Sequence, residues 1–174
     1  LNYRLLKMSE LKLLGDIDRS EITKETYYYK NHKLELVNEF YNINGWNLEE
    51  LHEYIERLED IYSRNGTIYG AFHNNKIVGL GALDNKFIGL NNDELKLDML
   101  YISSNYRKKG IGKNLVALLC EKARDLGAKR LYISATPFKN TVDFYSALGA
   151  KLTNEINKDL YELEPYDIHM ILEL

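Results

Sequence analysis

From residue 100 to residue 113 the chain reads Leu-Tyr-Ile-Ser-Ser-Asn-Tyr-Arg-Lys-Lys-Gly-Ile-Gly-Lys. An apolar stretch gives way to Arg107, Lys108 and Lys109, then to Gly110, Ile111, Gly112 and Lys113, after which an amphipathic pattern begins. This order predicts a strand, a loop and the first turn of a helix. A helix opens with main-chain N–H groups that no earlier carbonyl can satisfy, and its dipole places positive potential there. Gly110 and Gly112 lack Cβ, so a ligand can come close to the main chain. Arg107, Lys108, Lys109 and Lys113 put four cations into seven residues of a chain whose formal charge is −3. Such a place suits an anion, most naturally a pyrophosphate.

Two common nucleotide motifs do not fit. A Walker loop needs Gly, four residues, then Gly-Lys-Ser/Thr; here Arg107 stands at the first glycine and Asn114 at the hydroxyl position. A dinucleotide fingerprint needs a third glycine where this chain has Leu115. What remains is Arg107-x-x-Gly110-x-Gly112 between a strand and a helix.

The elements that must position this loop are legible in outline. Residues 2–7 alternate weakly as a first strand. Ser9 is a cap for a short helix with Leu11, Leu14 and Ile17 on one side. Asn31-His32, between Tyr-rich and Leu/Val-rich stretches, marks a hairpin within 27–43. Asn47, with Glu50 three residues on, starts a helix. Leu48, Leu51, Ile55, Leu58 and Tyr62 recur at helical spacing, and Asn65-Gly66 stops it. Strands over 67–73 and 76–83 flank an Asn74-Asn75 turn. In 94–102, Leu95, Leu97, Met99 and Tyr101 alternate with Glu94, Lys96 and Asp98, and Met99 to Ile102 is apolar on both sides, as in a central strand. The helix behind the glycines runs to about Leu126 on the stripe Leu115, Leu119, Ala123 and Leu126. A strand over 131–135, a helix over 140–148 stopped by Gly149, and a strand over 167–174 complete a single α+β or α/β domain.

Composition bounds the function. At 174 residues, with 45% hydrophobic and 28% charged residues, the chain is an ordinary globular protein of one domain. The mild acidity argues against nucleic acid as a partner. No apolar run approaches the roughly 20 residues of a membrane span, and residues 1–10 carry no signal-peptide pattern; the expectation is a cytoplasmic protein with no membrane partner. The single cysteine, Cys120, falls in an amphipathic helix near Val116 and Ala123 and reads as buried filler. His32, His52, His73 and His169 share no metal-ligand spacing, so no metal is expected. The fourteen tyrosines read as core and core-margin residues. Asp167-Ile168-His169 puts two polar groups on one face of the last strand.

The run Leu100-Tyr101-Ile102, Asn105-Tyr106-Arg107 and Arg-x-x-Gly-x-Gly, followed by Gly127-Ala128, the 131–135 strand and Asn140…Phe144-Tyr145…Leu148-Gly149, resembles the GNAT superfamily of N-acetyltransferases. The resemblance is specific over about residues 67–152. It implies a single GNAT-like α/β (α+β) domain: a mixed, mostly antiparallel sheet, splayed at the cofactor site and flanked by helices. Residues 1–66 would be variable elements on the acceptor side, 67–152 the acetyl-CoA-binding core, and 153–174 the C-terminal strand region. Acetyl-CoA is implied as co-substrate. Main-chain groups from Lys108 through Lys109, Gly110, Ile111 and Gly112 to Lys113 would cradle its pyrophosphate, and Arg107 would brace the loop. Leu100, Tyr101 and Ile102 would bond the pantetheine arm, one N–H polarising the thioester carbonyl. By resemblance Asn140 would bond the pantetheine, and Tyr145 would protonate the departing thiolate; its spacing from Asn140 is five residues, where seven is also common in the family. Asp98 and Glu94 share a strand face and could hold the amine or relay its proton, unless with Lys96 they form a plain salt-bridge cluster. Acids such as Asp18 and Glu21 suit a cationic acceptor amine. Exposed sheet edges leave room for a homodimer. The competing readings are a non-catalytic acyl-CoA-binding or sensory domain and a transferase that uses another acyl-CoA.

Overall fold

The computed structural model describes residues 1–174. With elements numbered in chain order, one mixed sheet holds, from edge to edge, β1 (Asn2–Leu5), β4 (Thr67–His73), β5 (Lys76–Ile88), β6 (Glu94–Ile102), β7 (Arg130–Ala135), β9 (Ile168–Glu173) and β8 (Lys151–Leu152). All neighbours are antiparallel except β6 and β7, which run parallel. A separate hairpin joins β2 (Glu21–Lys30) to β3 (Lys33–Ile43). On one face of the sheet lie α1 (Leu48–Ser63) and a 3-10 helix over Met8–Asp16, and on the other α2 (Ile111–Asp125) and α3 (Lys139–Ala147). A short α4 (Lys158–Leu163) precedes β9.

Local chemistry explains most boundaries. Asn47 caps α1 by accepting from the Glu50 N–H at 2.8 Å, a contact worth about 1 kcal/mol. Leu48 lies outside the buried stripe and is exposed, while Leu58 and Ile61 are buried. The first short helix is a 3-10 helix whose cap is Lys7, not Ser9: Glu10 reaches back to the Lys7 N–H at 2.9 Å and pairs with Arg4. Its period is the reason, since Leu11, Leu14 and Ile17 recur every three residues and all are fully buried. Asn31 and His32 turn the hairpin at φ 51° and 62°, the left-handed pair that matches strand twist. Residues 151–166 carry β8 and α4, which the hydrophobic pattern does not announce; α4 spans six residues and buries none of them.

One irregularity decides what faces the site. The β5–β6 register passes from Ala82↔Met99 directly to Leu83↔Leu97, leaving Asp98 as an extra residue, a β-bulge. Leu95 and Leu97 therefore pack in the core on the α2 side, whereas Met99 and Tyr101 pack on the α1 side. The single alternation read from the sequence breaks at Asp98. Beyond the bulge, Leu100 and Ile102 turn to the α2 face, where a Cβ on Gly79 would lie 2.8 Å from Ile102 Cδ1 and one on Gly81 3.1 Å from Leu119 Cδ1. These two glycines let α2 sit close to the sheet.

Candidate active site

The two parallel strands part company. β6 pairs with β7 only from Glu94 to Leu97, yet β6 continues to Ile102 along β5, and β7 continues to Ala135 along β9. From Asp98 onward the side of β6 that faces β7 has no strand partner. Ser103 N–H donates to Val78 C=O at 2.9 Å. By antiparallel alternation Tyr101 then bonds to β5, and Leu100 and Ile102 present their main-chain groups to the gap. The Ile102 carbonyl is taken by Arg107 Nε at 3.0 Å. Arg107 thus ties the loop to the end of β6.

The loop that follows is open to an anion. None of the main-chain N–H groups from Lys108 to Lys113 has a hydrogen-bond partner; the first helical bond of α2 is Asn114 N–H to Gly110 C=O at 3.0 Å. Lys108 (φ 60°) and Gly110 (φ 82°) are left-handed, and such alternation turns successive N–H groups into a concave nest. Gly110 is needed for that backbone, and space beyond it is open. Gly112 serves differently: a Cβ there would meet the Phe144 ring at 3.2 Å, so its hydrogen lets α2 pack on α3. Ile111 is buried and anchors the turn. Lys109 is folded back, its Nζ donating to Asn105 C=O at 2.8 Å, while Lys108 and Lys113 are exposed. The preceding turn is stapled to the N-terminal segment: Asp18 accepts from Ser104 Oγ at 2.5 Å, and Ser104 N–H donates to Asp18 C=O at 2.9 Å. The Ser104 hydroxyl, with Ser20, holds the Asp18 carboxyl at about 2. Asp18 therefore braces the loop.

The side chains singled out for catalysis are not all at the gap. Tyr145, on α3, is buried beside Phe144, with ring centroids 5.1 Å apart. Its hydroxyl has no hydrogen-bond partner in the protein, and burial holds its pKa far above that of a free phenol. Asn140 lies exposed in the first turn of α3 with its amide unpaired. Asp98 sits on the bulge between two cations, Lys96 Nζ at 3.0 Å and Arg57 Nε at 2.7 Å. Glu94 lies at the opposite end of β6, roughly 13 Å from Asp98 at the usual rise per residue. There it is buried, with Arg130 3.7 Å away and Asp93 bonded to the same arginine. Burial raises its pKa against the pull of Arg130.

A second group assembles where β7 has left β6. Ser134 Oγ donates to Asp167 Oδ2 at 3.0 Å. Asp167 and His169 line a cleft of about 230 Å³ with Tyr28 and Tyr29 of the hairpin and Tyr161 and Tyr166 from the segment around α4. Burial, reinforced by Glu164, raises the Asp167 carboxyl to about 6, against the Ser134 hydrogen bond and the more distant Lys96 and Arg57. His169 is buried, its Nδ1 2.7 Å from the Tyr132 hydroxyl and its Nε2 without a well-formed hydrogen bond. Burial lowers its pKa against the pull of the nearby Glu164 carbonyl. Asp167 and His169 were legible as a polar pair on one strand face. The tyrosines were not, because they come from segments more than a hundred residues apart and read singly as core-margin residues.

The chain matches the family model for the acetyltransferase (GNAT) family over residues 31–150. It is 31% identical over 111 residues to the uncharacterised N-acetyltransferase YjgM of Escherichia coli (strain K12), a match covering 63% of this chain and 62% of that relative. Among solved structures it is similar to nourseothricin acetyltransferase, with a TM-score of 0.72 at 15% identity over 99% of this chain and 97% of that one. It is similar also to a candidate streptothricin acetyltransferase of Bacillus anthracis str. Ames in complex with acetyl coenzyme A, with a TM-score of 0.72 at 20% identity over 99% and 98%. A third is the PaiA N-acetyltransferase of Thermoplasma acidophilum in complex with coenzyme A, with a TM-score of 0.65 at 18% identity over 99% and 98%. The chain shares its fold with these solved proteins, and it is a member of the GNAT acetyltransferase family.

Proposed function

We propose that the protein transfers an acetyl group from acetyl-CoA to a primary amine by direct attack in a ternary complex. The observation that carries this reading is the unpaired N–H nest from Lys108 to Lys113, placed at the mouth of the gap between β6 and β7. The nest would hold the pyrophosphate, with Lys108 and Lys113 adding charge. The pantetheine arm would lie along the free edge of β6, bonding Leu100 and Ile102, while Asn140 is available to its amides. Tyr101 contributes through its ring, which packs on Trp46 at 5.0 Å.

In this reading the free amine attacks the thioester carbonyl, a C–N bond forms, and the C–S bond breaks. A main-chain N–H of β6 stabilises the oxygen as negative charge develops on it. Tyr145 gives its proton to the departing sulfur; its raised pKa keeps that proton in place at neutral pH. Asp98, held in ion pairs with Lys96 and Arg57, orders the polar face. Water removes the amine proton. Glu94 takes no part at the gap.

The test is release of free thiol from acetyl-CoA with a panel of primary amines. Amine-dependent release supports transfer. Acetyl-CoA binding without release from any amine favours the non-catalytic reading, and faster release from succinyl- or propionyl-CoA reassigns the donor.

A further inference from the structure

We propose that the cleft between the hairpin and α4 receives the acceptor, and that the acceptor is a small primary amine on an apolar body, its ammonium set against Asp167. This rests on the acetyl-transfer reading for the cleft's role in turnover; the binding itself does not. Four tyrosines, Tyr28, Tyr29, Tyr161 and Tyr166, wall the cleft, and no lysine or arginine lines it. Aromatic faces attract a cation and cover hydrocarbon, and they offer nothing to an anion. The acid in the lining is Asp167, whose Oδ2 accepts from Ser134 and whose other oxygen makes no hydrogen bond. Ser134 stands on β7 beyond the last β6 partner, Ile133, so Asp167, bonded to Ser134, lies beside the gap. His169 adds a buried ring nitrogen to the same lining, Nε2, which has no well-formed hydrogen bond. The volume, about 230 Å³, falls below the roughly 300–1,000 Å³ usual for drug-sized ligands, which favours a small acceptor.

The test titrates n-hexylamine, methylamine and hexanoate into the CoA-saturated protein and follows binding by calorimetry. The expected result is saturable binding of hexylamine, at least tenfold weaker binding of methylamine, and none of hexanoate. Asp167→Asn keeps the Ser134 contact and should weaken hexylamine at least tenfold while leaving CoA binding unchanged; Tyr161→Leu, at an exposed position, should weaken it severalfold. Equal affinity of Asp167→Asn and the parent protein, or of methylamine and hexylamine, overturns the proposal. Hexylamine binding through Asp167 without any thiol release would remove the acetyl-transfer reading and leave the cleft's preference standing. Thiol release from amines that ignore Asp167→Asn would do the reverse.

Discussion

The two ends of the gap are built on different principles. The end proposed for the donor is main chain: unpaired N–H groups, a left-handed glycine and a helix start, all within residues 107–114. The end proposed for the acceptor is side chain: tyrosines from the hairpin and from the segment around α4, with Asp167 just before β9 and His169 on it. A main-chain site recognises a ligand whatever side chains surround it, so it can stay the same while substrates change. A side-chain site is rewritten by each substitution. The lesson is that the first end names a shared co-substrate and the second holds what is particular to this chain.

Glycine substitutions should break the donor end most completely. A ligand at 100 times its dissociation constant stabilises the folded state by about 2.7 kcal/mol. Acetyl-CoA should therefore raise the melting temperature of the parent protein, and Gly110→Val and Gly112→Val should abolish the rise in a thermal-shift assay. The causes differ: the first strains a φ of 82°, and the second drives a side chain into Phe144 at 3.2 Å. Next in size is Tyr145→Phe, which keeps the packing and should lower kcat about 100-fold with acetyl-CoA binding intact; an unchanged kcat excludes Tyr145 as the acid.

The acceptor end should show an opposite sign in stability. The Asp167 carboxyl is raised to about 6 from an ordinary 3.8, so between about pH 4 and pH 6 the folded chain binds more protons than the unfolded one. Stability falls as pH rises through that window. The groups acting on it are Glu164 from the approach to β9, Lys96 from β6, Arg57 from α1 and Ser134 from β7, with His169 beside it on β9. Asp167→Asn should stabilise the protein by about 1–2 kcal/mol at pH 7 and by little at pH 4, read from denaturant midpoints at the two pH values. Equal effects at both would mean the carboxylate carries no burial cost. The smallest effect belongs to Glu94→Gln: kcat within about twofold and stability within about 1 kcal/mol, because Glu94 sits in the Arg130 cluster far from the gap. A large loss of kcat would restore it to the chemistry.

How far each part was legible follows from the range of the interactions that make it. The loop, α2 and the Asn47 cap are local, since glycine conformation, helix starts and side-chain caps depend on residues within one turn. The Asp98 bulge left no mark on the alternation, because its cause is the pairing with β5, whose register shifts between Ala82 and Leu83. Asp98 and Glu94 looked equivalent along the strand. Distance from the gap and the partners Arg57 and Arg130, contributed by other elements, separate them. α4 was invisible because a six-residue helix with no buried face leaves no periodicity to read.

Taken alone, the order of residues determined the family-like core and the glycine loop at the start of α2, because both rest on short-range backbone rules and on the pattern of apolar residues along single elements. Only the tertiary structure decided which tyrosines share a wall, which acid stands beside the gap and which is locked in a distant ion pair. Those relations join segments far apart in the chain, and burial and charge act through space, not along the sequence.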